Sequence, residues 1–201
     1  MDTIPSNKAV TNLSDLDPAG PYTYADYLLW HFKERIELIG GRIFKMSPSP
    51  GLAHQKASQG LNRQLLNFFW KQKCQVFAAP FDVRMPGSGK KGFEATVLQP
   101  DLCVVCDEEK LDEKGCTGAP DLIVEILSPG NSKREMREKF QIYESAGVRE
   151  YWIVHPIDRT ALVYILTEEG RFSGLAPLTE EDTLKSTIFP DLEVHLPEVF
   201  L

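Results

Sequence analysis

Two apolar runs flank an amphipathic segment in the second half of the chain. The first run, Asp121 to Leu127, is rich in β-branched residues and predicts a buried β-strand. Apolar positions then recur at helical spacing from 133 to 146, and Ser132 with Glu135 has the pattern of a capping box at the helix start. Tyr151 to Val154 predicts a second strand, parallel and close to the first through a right-handed crossover.

Two charged residues interrupt these apolar patterns. Glu125 shares a strand face with Ile123 and Leu127, where a carboxylate is costly unless a cation or hydrogen-bond donors compensate it. Lys139 falls inside the apolar stripe of the helix rather than on its polar side. The alternatives are an edge strand from which Glu125 points to water, and a snorkelling Lys139 whose ammonium reaches solvent.

The first part of the chain also has regular patterns. A short helix is predicted from Tyr22 to Phe32. Arg35 to Met46 is predicted to form a hairpin around Gly40-Gly41, because two glycines supply the positive φ angles of a tight turn. Apolar residues near i,i+4 spacing predict a further helix from His54 to Lys71.

Two long strands, Gln75 to Arg84 and Thr96 to Cys106, are predicted next, and a strand pair is predicted between 158 and 174. Asp101 interrupts the second long strand as Glu125 interrupts the strand that follows it. If those two strands are antiparallel neighbours, the two acids lie opposite each other, about 5 Å apart at Cβ. The whole pattern predicts an α/β domain with a mixed sheet.

The composition fits one globular domain. The chain has 201 residues, 42% of them hydrophobic and 25% charged, which is enough for one sizeable core. Residues 1–22 have the composition of a disordered segment, so the domain is predicted over residues 23–201. The sequence contains neither a membrane span nor a signal-peptide pattern at its start, which predicts a cytoplasmic protein without membrane contact.

The cysteines are predicted to be reduced thiols in that compartment. They are Cys74, Cys103, Cys106 and Cys116. The second and third have the CxxC spacing of a zinc site, but on a strand this spacing directs them to opposite faces, which favours core thiols.

Asp101, Glu125 and Lys139 are the candidate catalytic residues. Carboxylate oxygens are the ligands that Mg²⁺ and Mn²⁺ prefer, so Asp101 and Glu125 are the candidate metal ligands. A nearby lysine can orient the nucleophile, deprotonate it, or neutralise charge that develops on a phosphate. Asp121 is four positions from Glu125 on one strand, about 13 Å away, and is therefore expected to be a strand-end or accessory group.

Several short motifs carry a family resemblance. They are Ile36 to Gly41, Met46 to Pro50, Gln99-Pro100-Asp101, Pro120 to Pro129, Glu138-Lys139, Tyr143, Ala146-Gly147-Val148 and Glu150 to Val154. Together they resemble the Uma-type restriction endonuclease family, a branch of the PD-(D/E)XK nuclease superfamily, over residues 23 to 170. The resemblance implies a restriction-endonuclease-like core of order α-β-β-β-α-β, with a mixed central sheet flanked by helices and an N-terminal hairpin.

One departure from the superfamily pattern concerns the lysine. The superfamily has a lysine two positions after the acid on the same strand, whereas this chain has Leu127 there. In this branch the lysine moves to the following helix, where Lys139 interrupts the apolar stripe. The superfamily's additional N-terminal acid has no clear match, and Glu37 is the candidate. His54 and Gln55 lie on the helix that would flank the site, and a histidine there can equally be a solvated or packed residue.

The resemblance and the site together predict a Mg²⁺- or Mn²⁺-dependent endonuclease that hydrolyses DNA phosphodiester bonds. The alternatives are a catalytically silent binding protein with a nuclease fold, or a hydrolase of another phosphoester. A homodimer is expected by analogy, because cutting both strands of a duplex is commonly done by two symmetry-related sites. The apolar residues of the C-terminal segment 189–200 are expected to cover a sheet edge or a dimer partner.

The formal net charge of −7 does not favour DNA binding, because affinity for DNA comes largely from phosphate neutralisation. A local basic surface is nevertheless expected from a few cations. They are Arg63, Lys90, Lys91, Lys133, Arg134 and Arg137. A bound metal ion would add positive charge at the site itself.

Overall fold

The computed structural model of the protein describes residues 9–46, 51–85, 95–129 and 133–201, with the backbone alone for 133–135. This part of the chain contains three α-helices, Tyr24–Tyr27 (α1), Leu52–Phe69 (α2) and Lys133–Ala146 (α3). None of them is both long and apolar enough to cross a membrane. The predicted capping box at Ser132 and the loop around Pro48 lie outside the described residues.

The described residues also form fifteen β-strands, most of them short. In chain order they are Ile36–Ile39 (β1), Arg42–Lys45 (β2), Gln75–Ala78 (β3), Val83–Arg84 (β4), Val97–Leu98 (β5), Leu102–Val105 (β6), Leu111–Asp112 (β7), Gly115–Thr117 (β8), Leu122–Ile126 (β9), Glu150–His155 (β10), Thr160–Leu166 (β11), Phe172–Gly174 (β12), Leu178–Thr179 (β13), Thr183–Lys185 (β14) and Glu193–His195 (β15). Short 3-10 helices lie at Leu13–Asp15, Glu108–Lys110 and Leu196–Glu198.

The central sheet has the strand order β12-β11-β10-β9-β6-β3, and β13 pairs with β11. Strands β9 and β10 are parallel and are connected through α3, as the crossover pattern predicts. Strand β6 pairs directly with β9 in the antiparallel sense, with Leu102 opposite Val124. The prediction that these two strands are neighbours in a mixed sheet is therefore confirmed.

A second sheet, of order β2-β1-β5-β4-β8-β7, forms where the two predicted long strands break. The single strands predicted from 75 to 84 and from 96 to 106 are wrong, because each divides into one piece in each sheet. Pro80 lies in the first gap and Pro100 in the second, and proline cannot donate a hydrogen bond to a ladder. The small hairpin of β7 and β8 completes this sheet.

The N-terminal region is more compact than its composition indicates. Helix α1 covers only four residues of the predicted 22–32 helix, and Thr23 with Asp26 forms the capping box at its start. Residues 9–22 fall in the segment predicted to be disordered. In the structure, the backbone of Val10 forms hydrogen bonds with the backbones of Leu29 and His31. The Tyr22 N–H donates to the carbonyl of Gly41 in the β1–β2 turn.

The hydrophobic core lies on both faces of the central sheet. One face packs against α2, against Leu184, and against apolar residues of the C-terminal segment, including Leu192 and Val194. The opposite face packs against α3 through Tyr143, with Ile123 and other alternate strand residues. The C-terminal segment therefore covers a face of the central sheet beside α2 rather than a sheet edge, and the dimer partner stays an expectation.

A disulfide bond joins Cys74 and Cys106, so the prediction of four reduced thiols is wrong for these two residues. Cys74 directly precedes β3 and Cys106 directly follows β6. These strands are antiparallel partners with Gln75 opposite Val105, so their register brings the two flanking cysteines together. Cys103 and Cys116 are free and buried, and burial raises the pKa of both thiols.

A fully buried carboxylate, Glu150, connects the C-terminal segment to the central sheet. Its Oε1 accepts a 2.6 Å hydrogen bond from the Trp152 indole N–H. Its Oε2 accepts bonds from the Ser186 hydroxyl, from the hydroxyl and backbone N–H of Thr187, and from the Ile188 N–H. These donors satisfy a charge that would otherwise be expensive to bury.

We expect Glu150→Ala to lower the free energy of unfolding by about 3–5 kcal/mol, because several buried donors lose their acceptor at once. Glu193→Gln is the matched control, since Glu193 forms an exposed ion pair with Lys185, and its stability should stay close to that of the wild type. Urea unfolding of both variants measures the difference. Equal stability of the two variants would contradict the assigned role of Glu150.

Candidate active site

Asp101 and Glu125 come together because β6 and β9 are antiparallel neighbours. Asp101 directly precedes β6. Leu102 lies opposite Val124, and extending this antiparallel register by one residue places Asp101 beside Glu125. The Asp101 Oδ2 accepts the backbone N–H of Ile126 at 2.7 Å, which fixes its carboxylate against β9. Glu125 is only 7% exposed, so the alternative of an edge residue pointing to water is excluded.

Lys139 extends from α3 onto the same face of β9. Its Nζ lies 3.1 and 3.3 Å from the two carboxylate oxygens of Glu125. It also lies 2.9 Å from Oε1 of Glu37. Since the residue is 5% exposed, its ammonium does not snorkel to solvent.

Glu37 reaches this cluster from the second sheet. It lies on β1, is 1% exposed, and directs Oε1 to the Lys139 ammonium. The same oxygen accepts the backbone N–H of Gln99 at 2.9 Å. The contact is possible because the chain passes from β5 in one sheet to β6 in the other at residues 99–101, directly beside Asp101.

Tyr143 also contacts the cluster, although the sequence pattern places it simply in the apolar stripe of α3. Its hydroxyl donates a 2.6 Å hydrogen bond to Glu125 Oε1, and the side chain is fully buried. Burial raises the pKa of this hydroxyl, so the tyrosine remains a donor. Its spacing of one helical turn from Lys139 is the sequence signal that could have identified it, since both residues then face the same strand.

The accessory candidates have different positions. His54 on α2 lies with Nε2 3.2 Å from Asp101 Oδ1, and its buried Nδ1 has no hydrogen-bond partner among the described residues. Gln55 is exposed on the first turn of α2. Asp121 lies at the other end of β9, where it accepts the Cys106 N–H and pairs with Arg149. The structure thus places Asp121 at the strand end and brings only His54 of these three to the cluster.

The cluster carries excess negative charge in a buried setting. Burial raises the pKa of Glu125 to about 7, with further contributions from Asp101 and Glu37 that Lys139 and the Tyr143 hydrogen bond oppose. Burial by itself lowers the pKa of Lys139, but Glu125 and Glu37 outweigh it and raise the pKa above its ordinary value. Lys139 is therefore held protonated, which suits a charge-stabilising group rather than a base.

The donor chemistry of the cluster suits a divalent cation. When Glu125 is ionised, Glu37, Asp101 and Glu125 supply three carboxylates against the single ammonium of Lys139, so two negative charges remain for a cation to offset. Among the described residues, no group of three or more His, Cys, Asp or Glu side chains is arranged so that it could hold a metal ion. Mg²⁺ is commonly held by one or two carboxylates, with water and substrate phosphate completing its octahedron, so the pair Asp101 and Glu125 is the donor set that matters here.

Only some residues of the predicted basic surface belong to the described part of the chain. Arg63 forms a 2.6 Å surface ion pair with Glu198, so part of its positive charge is offset. Arg137 is exposed on α3. Lys90 and Lys91, and the side chains of Lys133 and Arg134, lie outside the described residues.

The sheet order, the crossover helix and the acid pair beside a lysine define a protein of the restriction-endonuclease-like class. The fold is similar to a crystal structure described as "a putative nuclease belonging to DUF820" from Anabaena variabilis, with a TM-score of 0.70 and 18% identity. The match covers 90% of this chain and 98% of that chain.

The family model described as "Uma2: Putative restriction endonuclease" matches residues 24–197, so the chain belongs to the Uma2 family. A comparison with proteins of curated function gives no match.

The raised pKa of Glu125 predicts a pH-dependent stability. Because the folded protein binds this proton more tightly than the unfolded chain, the stabilisation is fully present below about pH 4.5 and is lost as the pH rises through about 7. At about 1.4 kcal/mol per pKa unit, we expect a loss of about 3 kcal/mol that Glu125→Gln largely abolishes.

Urea unfolding at pH 5 and pH 8 in metal-free buffer checks this expectation. Glu109→Gln, at an exposed position, is the matched control and should keep the wild-type difference between the two pH values. A Glu125→Gln protein with the wild-type difference would show that Glu125 is not the group that titrates.

Proposed function

We propose that the protein is a divalent-metal-dependent endonuclease that hydrolyses DNA phosphodiester bonds at Asp101, Glu125 and Lys139. The observation that carries the proposal is the buried Lys139 ammonium between Glu37 and Glu125, next to Asp101. Strongly perturbed titratable groups gathered in one place are typical of catalytic sites. Membership of the Uma2 family and the nuclease description of the similar structure support the same reaction class.

Asp101 and Glu125 are the residues that would hold Mg²⁺ or Mn²⁺, with Glu37 beside them as a third acid. Such an ion, when bound, polarises a phosphoryl oxygen and makes a water molecule more acidic. Asp101 is the more accessible ligand, with 21% of its side chain exposed, so a substrate phosphate reaches the cluster on its side.

Lys139 would act as a fixed positive charge. Its ammonium is held by two carboxylates, so it is already oriented before a phosphate arrives. A preorganised donor of this kind stabilises negative charge that develops on a phosphate in the transition state. Tyr143 holds Glu125, and His54 with the Ile126 N–H holds Asp101, so these groups act by positioning the carboxylates.

A catalytically silent binding protein is the main competing function, and a hydrolase of another phosphoester shares the same site. The burial of Glu37, Glu125 and Lys139 favours an enzyme over a binding protein without catalytic activity. A buried ionic cluster can usually be replaced by apolar residues without loss of stability, so stability alone does not require it.

A homodimer and DNA as the substrate also belong to this proposal. Two sites related by a two-fold axis would cut the two strands of a duplex. Sedimentation at micromolar concentration tests the dimer, and cleavage of plasmid, single-stranded and branched DNA tests the substrate.

We expect Lys139→Met to reduce metal-dependent DNA cleavage by about 10²- to 10⁴-fold, because the fixed positive charge is lost. The substitution also leaves Glu37 and Glu125 without their shared cation, which costs about 3–5 kcal/mol of stability. Cleavage of plasmid DNA with Mg²⁺ or Mn²⁺, alongside thermal unfolding, measures both effects.

A charge-matched variant separates catalysis from folding. Glu37→Gln combined with Lys139→Met removes one buried carboxylate together with the ammonium, so stability should recover toward wild type while activity stays low. Lys71→Met, at an exposed position beyond α2, is the control and should keep full activity. Full activity of the charge-matched double variant would reject Lys139 as a catalytic group. Wild-type protein that binds no divalent ion and cuts no nucleic acid would favour the silent binding protein.

A further inference from the structure

An aromatic pocket of about 260 Å³ opens beside β1, close to the candidate active site. Tyr27, Trp30 and Phe32 supply its aromatic wall, and Arg35 and Gln99 supply polar groups. Ile36, Pro80 and the exposed Glu34 complete the lining, so a carboxylate lies beside Arg35. The three aromatic residues lie in or just after α1, in the segment that packs against the β1–β2 hairpin. We use the name aromatic pocket for the site formed by Tyr27, Trp30, Phe32, Arg35 and Gln99.

The aromatic wall is built around Trp30. Its ring centroid lies 5.8 Å from that of Tyr27 and 5.7 Å from that of Phe32, at tilted angles, and Tyr22 contacts it edge-on at 5.0 Å. The rings therefore support one another, while Tyr27, Trp30 and Phe32 all remain partly exposed. Rigid, partly exposed aromatic rings are the usual platform for stacking unpaired bases of single-stranded nucleic acid.

The polar groups are also fixed. The exposed Arg35 donates from Nη2 to Gln99 Oε1 at 3.0 Å, which uses one of its five N–H donors. Gln99 in turn donates to Asp82 Oδ1 at 2.8 Å and to the Tyr27 hydroxyl at 3.3 Å. The guanidinium is thus held at the pocket with a positive charge that suits a phosphate or an acceptor on a base edge.

Gln99 connects this pocket to the catalytic cluster. Its side chain lines the pocket, while its backbone N–H donates to Glu37 Oε1, the oxygen that also contacts Lys139. In the chain, Asp101 is two residues from Gln99, and Glu37 is two residues from Arg35. A nucleotide held in the pocket would therefore have its neighbouring phosphate near the carboxylates.

We propose that the aromatic pocket binds one unpaired nucleobase of the nucleic-acid substrate, stacked on the Trp30 wall, with Arg35 directed to its phosphate or base edge. This inference rests on the proposed nuclease function and names its substrate class. The volume is below the range of about 300–1,000 Å³ typical of sites for drug-sized ligands, so it suits one ring system. The enzyme is thereby directed to single-stranded DNA, frayed ends or branch points rather than to uninterrupted duplex.

Tryptophan fluorescence provides a direct binding test. The protein has three tryptophans, of which Trp152 is fully buried and Trp70 is 79% exposed. In a Trp70→Phe background, Trp30 is then the tryptophan that an oligonucleotide can reach. We expect oligo-dT to quench its fluorescence without any metal, and duplex DNA of equal length to quench it much less.

Two substitutions in the pocket and one outside it make the test specific. Arg35→Gln and Phe32→Leu should each weaken oligo-dT binding by about tenfold, since they remove a cation or a stacking ring while keeping side-chain bulk. Arg42→Gln is the matched control, because Arg42 is an exposed arginine of the neighbouring strand outside the pocket, and its affinity should change by less than about twofold. If oligo-dT quenches neither the Arg35→Gln protein nor the Arg42→Gln protein, the two variants do not differ in binding, and this result would overturn the proposal.

A cleavage arm separates this inference from the nuclease proposal. If wild-type protein cuts DNA, Arg35→Gln and Phe32→Leu should lower its preference for single-stranded over duplex DNA by about tenfold. An unchanged preference in an active enzyme would reject the pocket and leave the nuclease function standing. If oligo-dT quenches Trp30 but no DNA is cut, the pocket stands and the nuclease function fails. If Arg35→Gln lowers cleavage of single-stranded and duplex DNA equally, Arg35 is a general phosphate contact, and the proposed base-binding pocket is overturned.

Discussion

The Lys139 ammonium, buried between Glu37 and Glu125, is the interaction on which the arrangement of the molecule depends. Each of its carboxylate partners comes from a different sheet, and the lysine itself comes from the crossover helix. A charge in this position is tolerated only while all three elements stay in place, because any one of them, if displaced, leaves a buried charge without its partner. The site therefore acts as a structural junction as well as a candidate catalytic centre.

The two prolines that divide the long strands make this junction possible. An unbroken strand through residues 96–106 would keep Gln99 and Asp101 in one sheet and would leave Glu37 without its backbone donor. The chain changes sheets at residues 99–101, and there the Gln99 N–H from the second sheet donates to Glu37 while Asp101 lies beside Glu125 of the central sheet.

The sequence predicts the parts of the site that interrupt a pattern. Glu125 and Lys139 stand out because each places a charge where the periodicity requires an apolar side chain. Tyr143 does not interrupt the pattern, because a tyrosine suits an apolar stripe, and only its spacing of one helical turn from Lys139 indicates its role. The sequence also gives no sign that Gln99 donates to Glu37, because the donor is a backbone N–H that every residue except proline carries.

Long-range register explains the remaining differences between expectation and structure. The Cys74–Cys106 disulfide depends on how β3 pairs with β6, and spacing along the chain does not encode that pairing. The division of both long strands between two sheets has the same origin, because a proline indicates that a ladder is interrupted but not where the chain goes next. Glu37 was found only through the superfamily's need for another acid, and its own strand carries no sign of a partner 102 positions away.

The carboxylate of Glu150 has a consequence for cooperativity. The donors to its Oε2 lie 36 to 38 residues further along the chain, directly before the C-terminal segment. Strand β10, which carries Glu150, is the direct neighbour of β9, which carries Glu125. Local opening of residues 183–200 would strip the donors from a buried charge at the start of β10, so this segment cannot detach while the sheet stays intact. We therefore expect the carboxylates of the candidate site and the distant C-terminal residues to belong to one unfolding unit, in which the sheet and its covering segment are lost together.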